Sequence, residues 1–401
     1  MDSILNSAAM ALSSGDILGA LNRISLRDDP DALAMRGIAM AQLGELPRAR
    51  ELLRSAAKKF GPESVARARC VLAEAEIALV SRDLTWPAES LEAAGRTLLQ
   101  RGDILNAAHA SIVVARRHLL LGHLDLAKAR LADLGALSLS PALSASKDLV
   151  LAGIEIRRLH ASTARSALAR AEHAAHLSGI AALMGEVAEA QRTLAEPAAL
   201  LHHSGSTRPI ALDGVERLLA SDVLVVDASR NTLRSGATIV SLASRPILMS
   251  LAVGLAEAWP GAAARETLLS QVFGARHADE SHRTRLRVEV ARLRKLLAPL
   301  AKISATHKGF RLVPMLGDVA VLTHPMRGQD AQVMALLADG ELWASSALAM
   351  VLGLSTRSVQ RSLQALQEAG KIQSLGRARS LRWTVLTAPG FPMSLLLPGV
   401  V

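Results

Sequence analysis

Residues 279–300 read DESHRTRLRVEVARLRKLLAPL, and residues 301–314 continue AKISATHKGFRLVP. At about 100° per residue, Leu286, Val290, Leu293 and Leu297 fall on one narrow face, the spacing that lets a helix pack on a core. The opposite face carries Thr284, Arg285, Val288, Ala291, Arg292 and Lys295, flanked by Arg283, Arg287 and Arg294. A cationic face with small apolar groups suits a DNA major groove: Arg donates to guanine edges or phosphates, and a Val methyl meets a thymine methyl. An ordinary solvated helix also exposes Arg and Lys, so the flanking sequence has to decide between the two.

Upstream, residues 222–274 predict two short alternating strands around Ser235-Gly236. A helix follows, with Ser244 as its expected cap and Pro246 in its first turn, and a second helix starts near Arg265. Downstream, Ile303, Thr306, Gly309, Phe310 and Arg311 fit a strand, a turn and a strand, with His307 and Lys308 at the tip. Antiparallel strands, three helices and a hairpin ending in I-x-x-T-x-x-G-[YF]-R resemble the OmpR/PhoB-type winged-helix DNA-binding domain over about residues 208–314. The resemblance implies that Arg285, Val288, Arg292 and Arg294 touch DNA and that His307 and Lys308 meet the minor groove or phosphates. Two positions depart from the family: Ala291 stands where a polar or basic residue is frequent, and Arg287 where an acid is common. The base sequence read is therefore not carried over.

The charge distribution points the same way. Residues 205–315 hold 16 Lys+Arg against 9 Asp+Glu, which accounts for +7 of the chain's net +10. A polyanion partner calls for such a local excess. With 401 residues, 50% of them hydrophobic, the chain is long enough for two to four domains with real cores.

A second DNA-binding pattern occupies residues 330–386. A helix-turn-helix needs a small residue where its helices cross, a turn glycine and a β-branched anchor; Ala349, Gly353 and Val359 stand at those positions. Ser355 is the expected cap of its second helix, with Val359, Leu363 and Leu366 inward and Thr356, Arg357, Ser358, Gln360, Arg361 and Gln364 outward. Residues 371–385 resemble a hairpin wing tipped by Arg377 and Arg379. A fold that packs on a neighbour without touching DNA is the alternative here. The tail from Thr387 to Val401 is apolar and is expected to pack back on a domain or partner.

From Met1 to about Ala199 the chain is rich in Ala, Leu and Arg, with almost no strand signal. Leu33, Gly37, Met40, Gly44, Ala49, Leu53, Ala56 and Pro62 lie close to tetratricopeptide (TPR) spacing. A helix break followed five residues later by a small residue recurs at Gly15, Gly44, Asp83, Gly122 and Ser162. This predicts a degenerate TPR-like α-solenoid of helix pairs, which either binds a peptide, protein or ligand or serves as a dimerisation scaffold. Strand–helix alternation and an acidic strand-end cluster are lacking, so a phosphoacceptor receiver domain is not expected. Ala195–Pro209 and Pro314–Gln329 are expected linkers, giving three domains at 1–204, 205–315 and 316–401.

Apolar runs are too short to span a bilayer, and MDSILNSAAM lacks a basic signal region, so a cytoplasmic location is expected. Cys70 is the single cysteine, expected to be a small buried hydrophobe rather than a redox thiol. His173/His176 and His202/His203 lack the carboxylates of a metal set, and no Walker loop, dinucleotide fingerprint or nucleophile elbow occurs, so neither cofactor nor enzymatic activity is expected. The expected fold is mainly α with small β, a TPR-like solenoid followed by two winged helix-turn-helix domains. The expected function is that of a bacterial transcriptional regulator that binds double-stranded DNA, with a peptide or protein partner or a homodimer contact on the repeats. A protein-interaction adaptor whose winged helices dock proteins is the alternative.

Overall fold

A computed structural model of the protein describes residues 3–13, 16–81, 83, 86–135, 137–273, 280–323, 329–337, 343–352, 354–376, 381–385 and 396. The described chain is mainly α-helical with small β-sheets. It divides into two compact units, one of residues 1–155, 163–191 and 391–401, the other of 156–162 and 192–390. Among the described residues, no helix is long and apolar enough to cross a membrane.

In the first unit α1 (Ser3–Ser13) packs on α2 (Ile17–Ile24), α3 (Pro30–Gln42) on α4 (Leu46–Lys59) and α5 (Val65–Val80) on α6 (Ala88–Gln100). Next come α7 (Ile104–Leu121) against α8 (Leu124–Ala132), then α9 (Pro141–Arg157), α10 (Ala161–Ser178) and α11 (Ala181–Ala195). Short polar residues start these helices. Asp16, Asp29, Ser64 and Asp103 accept the backbone N–H groups of Gly19, Ala32, Arg67 and Asn106, which would otherwise lack partners. Close helix crossings explain the small residues: a Cβ on Gly37 would lie 2.8 Å from Leu53 Cγ, and Ala20, Ala49 and Ala127 are fully buried. Gly44 and Gly122 turn the chain between helices at φ +84° and +87°, a left-handed conformation that L side chains resist.

Two of the expected breaks shift. Ser162 lies inside α10, and the turn before it is made by Leu159 at φ 63°. After Asp83, Ala88 is the half-buried first residue of α6, and Leu91 takes the inward position. Cys70 is buried as expected; burial pushes its thiol up to about 12, reinforced by Asp31 and Glu74, so it stays protonated and unreactive.

Asp103 links α5 and α7 through Arg69 Nε, 2.8 Å away, and accepts Asn106 Nδ2 at 2.9 Å. Burial works against its charge, but the hydrogen bonds from Asn106 and Arg69 and the Arg69 charge outweigh it, holding the carboxyl below the ordinary 3.8. A depressed folded value means stability that is present above the ordinary value and lost as pH falls through the folded one. Asp103→Asn should therefore destabilise the helical unit near neutrality, and the difference from wild type should vanish in acid. Denaturant titrations between about pH 2 and 7 measure this; a difference independent of pH would contradict it.

The second unit contains the strands β1 (Ala199–His203), β2 (Ser206–Ile210), β3 (Leu224–Asp227), β4 (Thr232–Ser235), β5 (Thr238–Ser241) and β9 (Val319–Thr323), with α12 (Leu212–Leu219) between β2 and β3. These strands form one six-stranded sheet in the order β2-β1-β9-β3-β4-β5. Both expected linkers are corrected by this sheet. Residues 199–210 form the hairpin β1–β2, turned by Ser204 and Gly205 at φ 50° and 75°. Residues 319–323 run parallel to β3 and antiparallel to β1 in the sheet interior. Boundaries at 204/205 and 315/316 would cut a hairpin and remove a bonded strand, because β1 and β9 complete each other's hydrogen bonding. His202 Nε2 meets Thr323 Oγ1 at 2.9 Å and His203 Nε2 meets Asp318 Oδ2 at 3.2 Å, so both histidines serve this sheet.

After β5 come α13 (Pro246–Glu257), β6 (Ala263–Ala264), α14 (Arg265–Phe273), α15 (Glu280–Leu297), β7 (Ala301–Ala305) and β8 (Gly309–Pro314). The cap of α13 is Arg245, without a side-chain hydrogen bond, in place of the expected Ser244; Pro246 opens the helix, as expected. Leu248, Leu251, Leu255, Leu268, Leu286, Val290, Leu293 and Phe310 share one core with Leu224 and Val226 of the sheet. Farther on, α16 (Gln329–Leu337), α17 (Ser345–Leu352), α18 (Thr356–Glu368), β10 (Ile372–Leu375) and β11 (Arg382–Val385) enclose a separate core around Val333, Leu348, Val359, Leu363 and Trp383.

Candidate nucleic-acid interface

The inward face of α15 is as the spacing predicts: Leu286, Val290, Leu293 and Leu297 are each at most 2% exposed. Thr284, Arg285, Ala291, Arg292 and Lys295 are exposed, and Val288 is 46% exposed despite being apolar. Glu280, Ser281, Thr284, Arg285, Val288, Glu289 and Arg292 line a shallow groove of about 580 Å³ on this face. Burying one side of the helix thus leaves a cationic surface with a methyl-bearing centre.

Several of the expected contact residues already have internal partners. Arg292 Nη1 donates to Glu289 Oε1 at 2.8 Å, and Glu289 is nearly buried. Arg283 and Arg287 reach Glu280 at 3.4 and 3.7 Å, weak pairings for exposed side chains. Arg285 lies over the Phe273 ring, 4.9 Å from its centroid, which places the guanidinium at the end of α14. Arg294 is the main reassignment: its Nε donates to the Ile303 carbonyl at 3.0 Å, tying α15 to β7. Its Nε–H is committed to the hairpin, so its role includes positioning, while the Nη–H donors of this exposed guanidinium still face solvent.

The turn between β7 and β8 carries His307 and Lys308, both exposed. It is closed by Thr306 N–H to the Gly309 carbonyl at 2.9 Å and Gly309 N–H to Thr306 Oγ1 at 3.0 Å. Arg265, which sequence reasoning did not single out, holds this turn from outside. Its Nη1 donates to the His307 carbonyl at 2.7 Å and its Nη2 to the Thr306 carbonyl at 3.0 Å, with the guanidinium 5.8 Å from the Phe310 centroid. The strand pairing of β6 with β8 brings Arg265 there, and no local pattern signals so distant a pairing. Arg265→Ala should cost roughly 1.5–3 kcal/mol, as expected for hydrogen bonds from a charged donor, and should speed hydrogen exchange at Gly309. Unchanged exchange would remove this role.

No protein-family model, no curated protein and no solved structure matches the chain.

On α18, Thr356, Arg357, Gln360, Arg361 and Gln364 are exposed, whereas Val359, Leu363 and Leu366 are buried. Ser355 caps the helix by accepting Ser358 N–H at 3.1 Å, as expected. Ser358 departs from expectation: its hydroxyl accepts from Ser355 Oγ at 3.0 Å and it is half-buried, so it belongs to the cap and not to the outward face. Ala349 is buried where the helices cross. Gly353, Arg377 and Arg379 lie outside the described residues.

Proposed function

We propose that the protein is a sequence-specific DNA-binding transcriptional regulator that reads duplex DNA with α15. One observation carries this: α15 is buried along Leu286, Val290, Leu293 and Leu297 while presenting Thr284, Arg285, Val288, Ala291, Arg292 and Lys295 outward. The element order from β3 to β8 supports its reading as an OmpR/PhoB-type winged helix, with β7–β8 as the wing. A helix about 10 Å across fits the major groove, and His307 and Lys308 would then meet the flanking backbone. The segment from α16 to β11 is read as a second winged helix-turn-helix that extends the footprint through Arg357 and Arg361. The paired helices α1 to α10 are read as a TPR-like solenoid that receives a partner.

The adaptor alternative draws support from the acidic partners that Arg283, Arg287 and Arg292 already have. DNA must compete with Glu280 and Glu289 for those guanidinium groups, whereas a protein partner could leave them paired. Gel-shift titration of the intact protein on random duplex DNA over a range of salt separates the two. The DNA reading predicts a shift whose log affinity falls linearly with log salt; the adaptor reading predicts none.

A further inference from the structure

Leu396, in the apolar C-terminal tail, donates its backbone N–H to Glu76 Oε1 at 2.8 Å. Glu76 lies on α5 and is 2% exposed; its Oε2 is 3.4 Å from Nε2 of His109 on α7, itself 3% exposed. Burying a carboxylate is unfavourable unless hydrogen-bond donors reach it, so the tail's N–H supports the burial of Glu76. The helices around it are also covered on every side. Residues 72–79 of α5 are buried at each consecutive position, more than two full turns, as are 106–110 and 112–116 of α7. α5 packs on α3, α4, α6 and α7, and the faces of α5 and α7 that carry Glu76 and His109 are buried as well.

The tail sequence suits an extended occupant. Residues 387–401, TAPGFPMSLLLPGVV, hold no charged side chain and three prolines, which disfavour helix and leave neighbouring N–H groups without helical partners.

We propose that the α5–α7 face around Glu76 and His109 is a peptide-binding surface whose resident occupant is the chain's own C-terminal segment. The inference does not depend on the DNA-reading proposal and is tested without DNA.

The probe is a fluorescent peptide of residues 387–401, titrated by anisotropy into the full chain and into a chain ending at Leu386. A tethered occupant competes at high effective concentration, so the full chain should bind the peptide at least about tenfold more weakly than the shortened chain. Leu396→Pro in the peptide removes the donated N–H and should weaken binding by about tenfold or more. The same substitution in the full chain should raise its affinity for the unmodified peptide toward that of the shortened chain. The proposal is overturned if the shortened chain keeps its helical circular dichroism yet binds the peptide no better than the full chain. Should the shortened chain not fold, Leu396→Pro in the full chain decides: unchanged peptide binding there overturns the proposal.

Discussion

Arg292→Ala is expected to weaken specific DNA binding by about 1–3 kcal/mol if the guanidinium donates both bonds to a guanine. It sits at the edge of the exposed face, 65% of its side chain open to solvent, and its 2.8 Å bond to Glu289 keeps it in a defined position. The form of the loss identifies the contact. If Arg292 meets only phosphate, the loss should be similar for all sequences, and the salt slope should shrink by about 1. Isotherms on specific and random duplexes at several salt concentrations distinguish the two; an unchanged affinity on both would remove Arg292 from the interface.

Gly309→Ala is expected to cost about 3 kcal/mol or more, at the upper end for overpacking. A Cβ there would sit 1.8 Å from the Ala263 carbonyl oxygen, an approach that no side-chain movement relieves because the obstacle is backbone. Relief requires β6 to leave β8, breaking the Ala263↔Phe310 and Ala264↔Gly309 pairings and withdrawing Arg265 from the turn that presents His307 and Lys308. Because the chain has two compact units, one unfolding midpoint does not isolate this effect. Hydrogen exchange at Phe310, which pairs with Ala263 across the two strands, does: its amide should exchange much faster in the variant. Wild-type protection would show that the strands separate at little cost.

How much of this was legible in the sequence depends on how far apart the cooperating residues lie. The α15 faces were readable because period 3.6 is a local signal, and Leu286, Val290, Leu293 and Leu297 are indeed buried. The hairpin after it was readable from Thr306 and Gly309, the residues that close its turn. The strand β1 was missed because its partner β9 lies some 120 residues away, Leu200 opposite Thr323. The Ser204-Gly205 pair, both at positive φ, was the one local clue to that hairpin. At the candidate interface, sequence placed the cations on the right face but could not assign their bonds. Arg294 is bonded to the Ile303 carbonyl, Ser358 to the cap of α18, and Arg265 is drawn to the turn by the distant pairing of Ala264 with Gly309. Exposure follows from periodicity; hydrogen-bond partners follow from tertiary structure.

DNA reading by α15 meets its sharpest test at Ala291, exposed one helical turn from Val288 and from Lys295, where a new charge reaches outward. Ala291→Glu places an anion against the phosphates of DNA held on α15, and anisotropy titration of duplex DNA at fixed low salt reads the effect. An affinity at least about tenfold lower is expected, with the helical circular dichroism unchanged. Wild-type affinity in a correctly folded Ala291→Glu protein would contradict it.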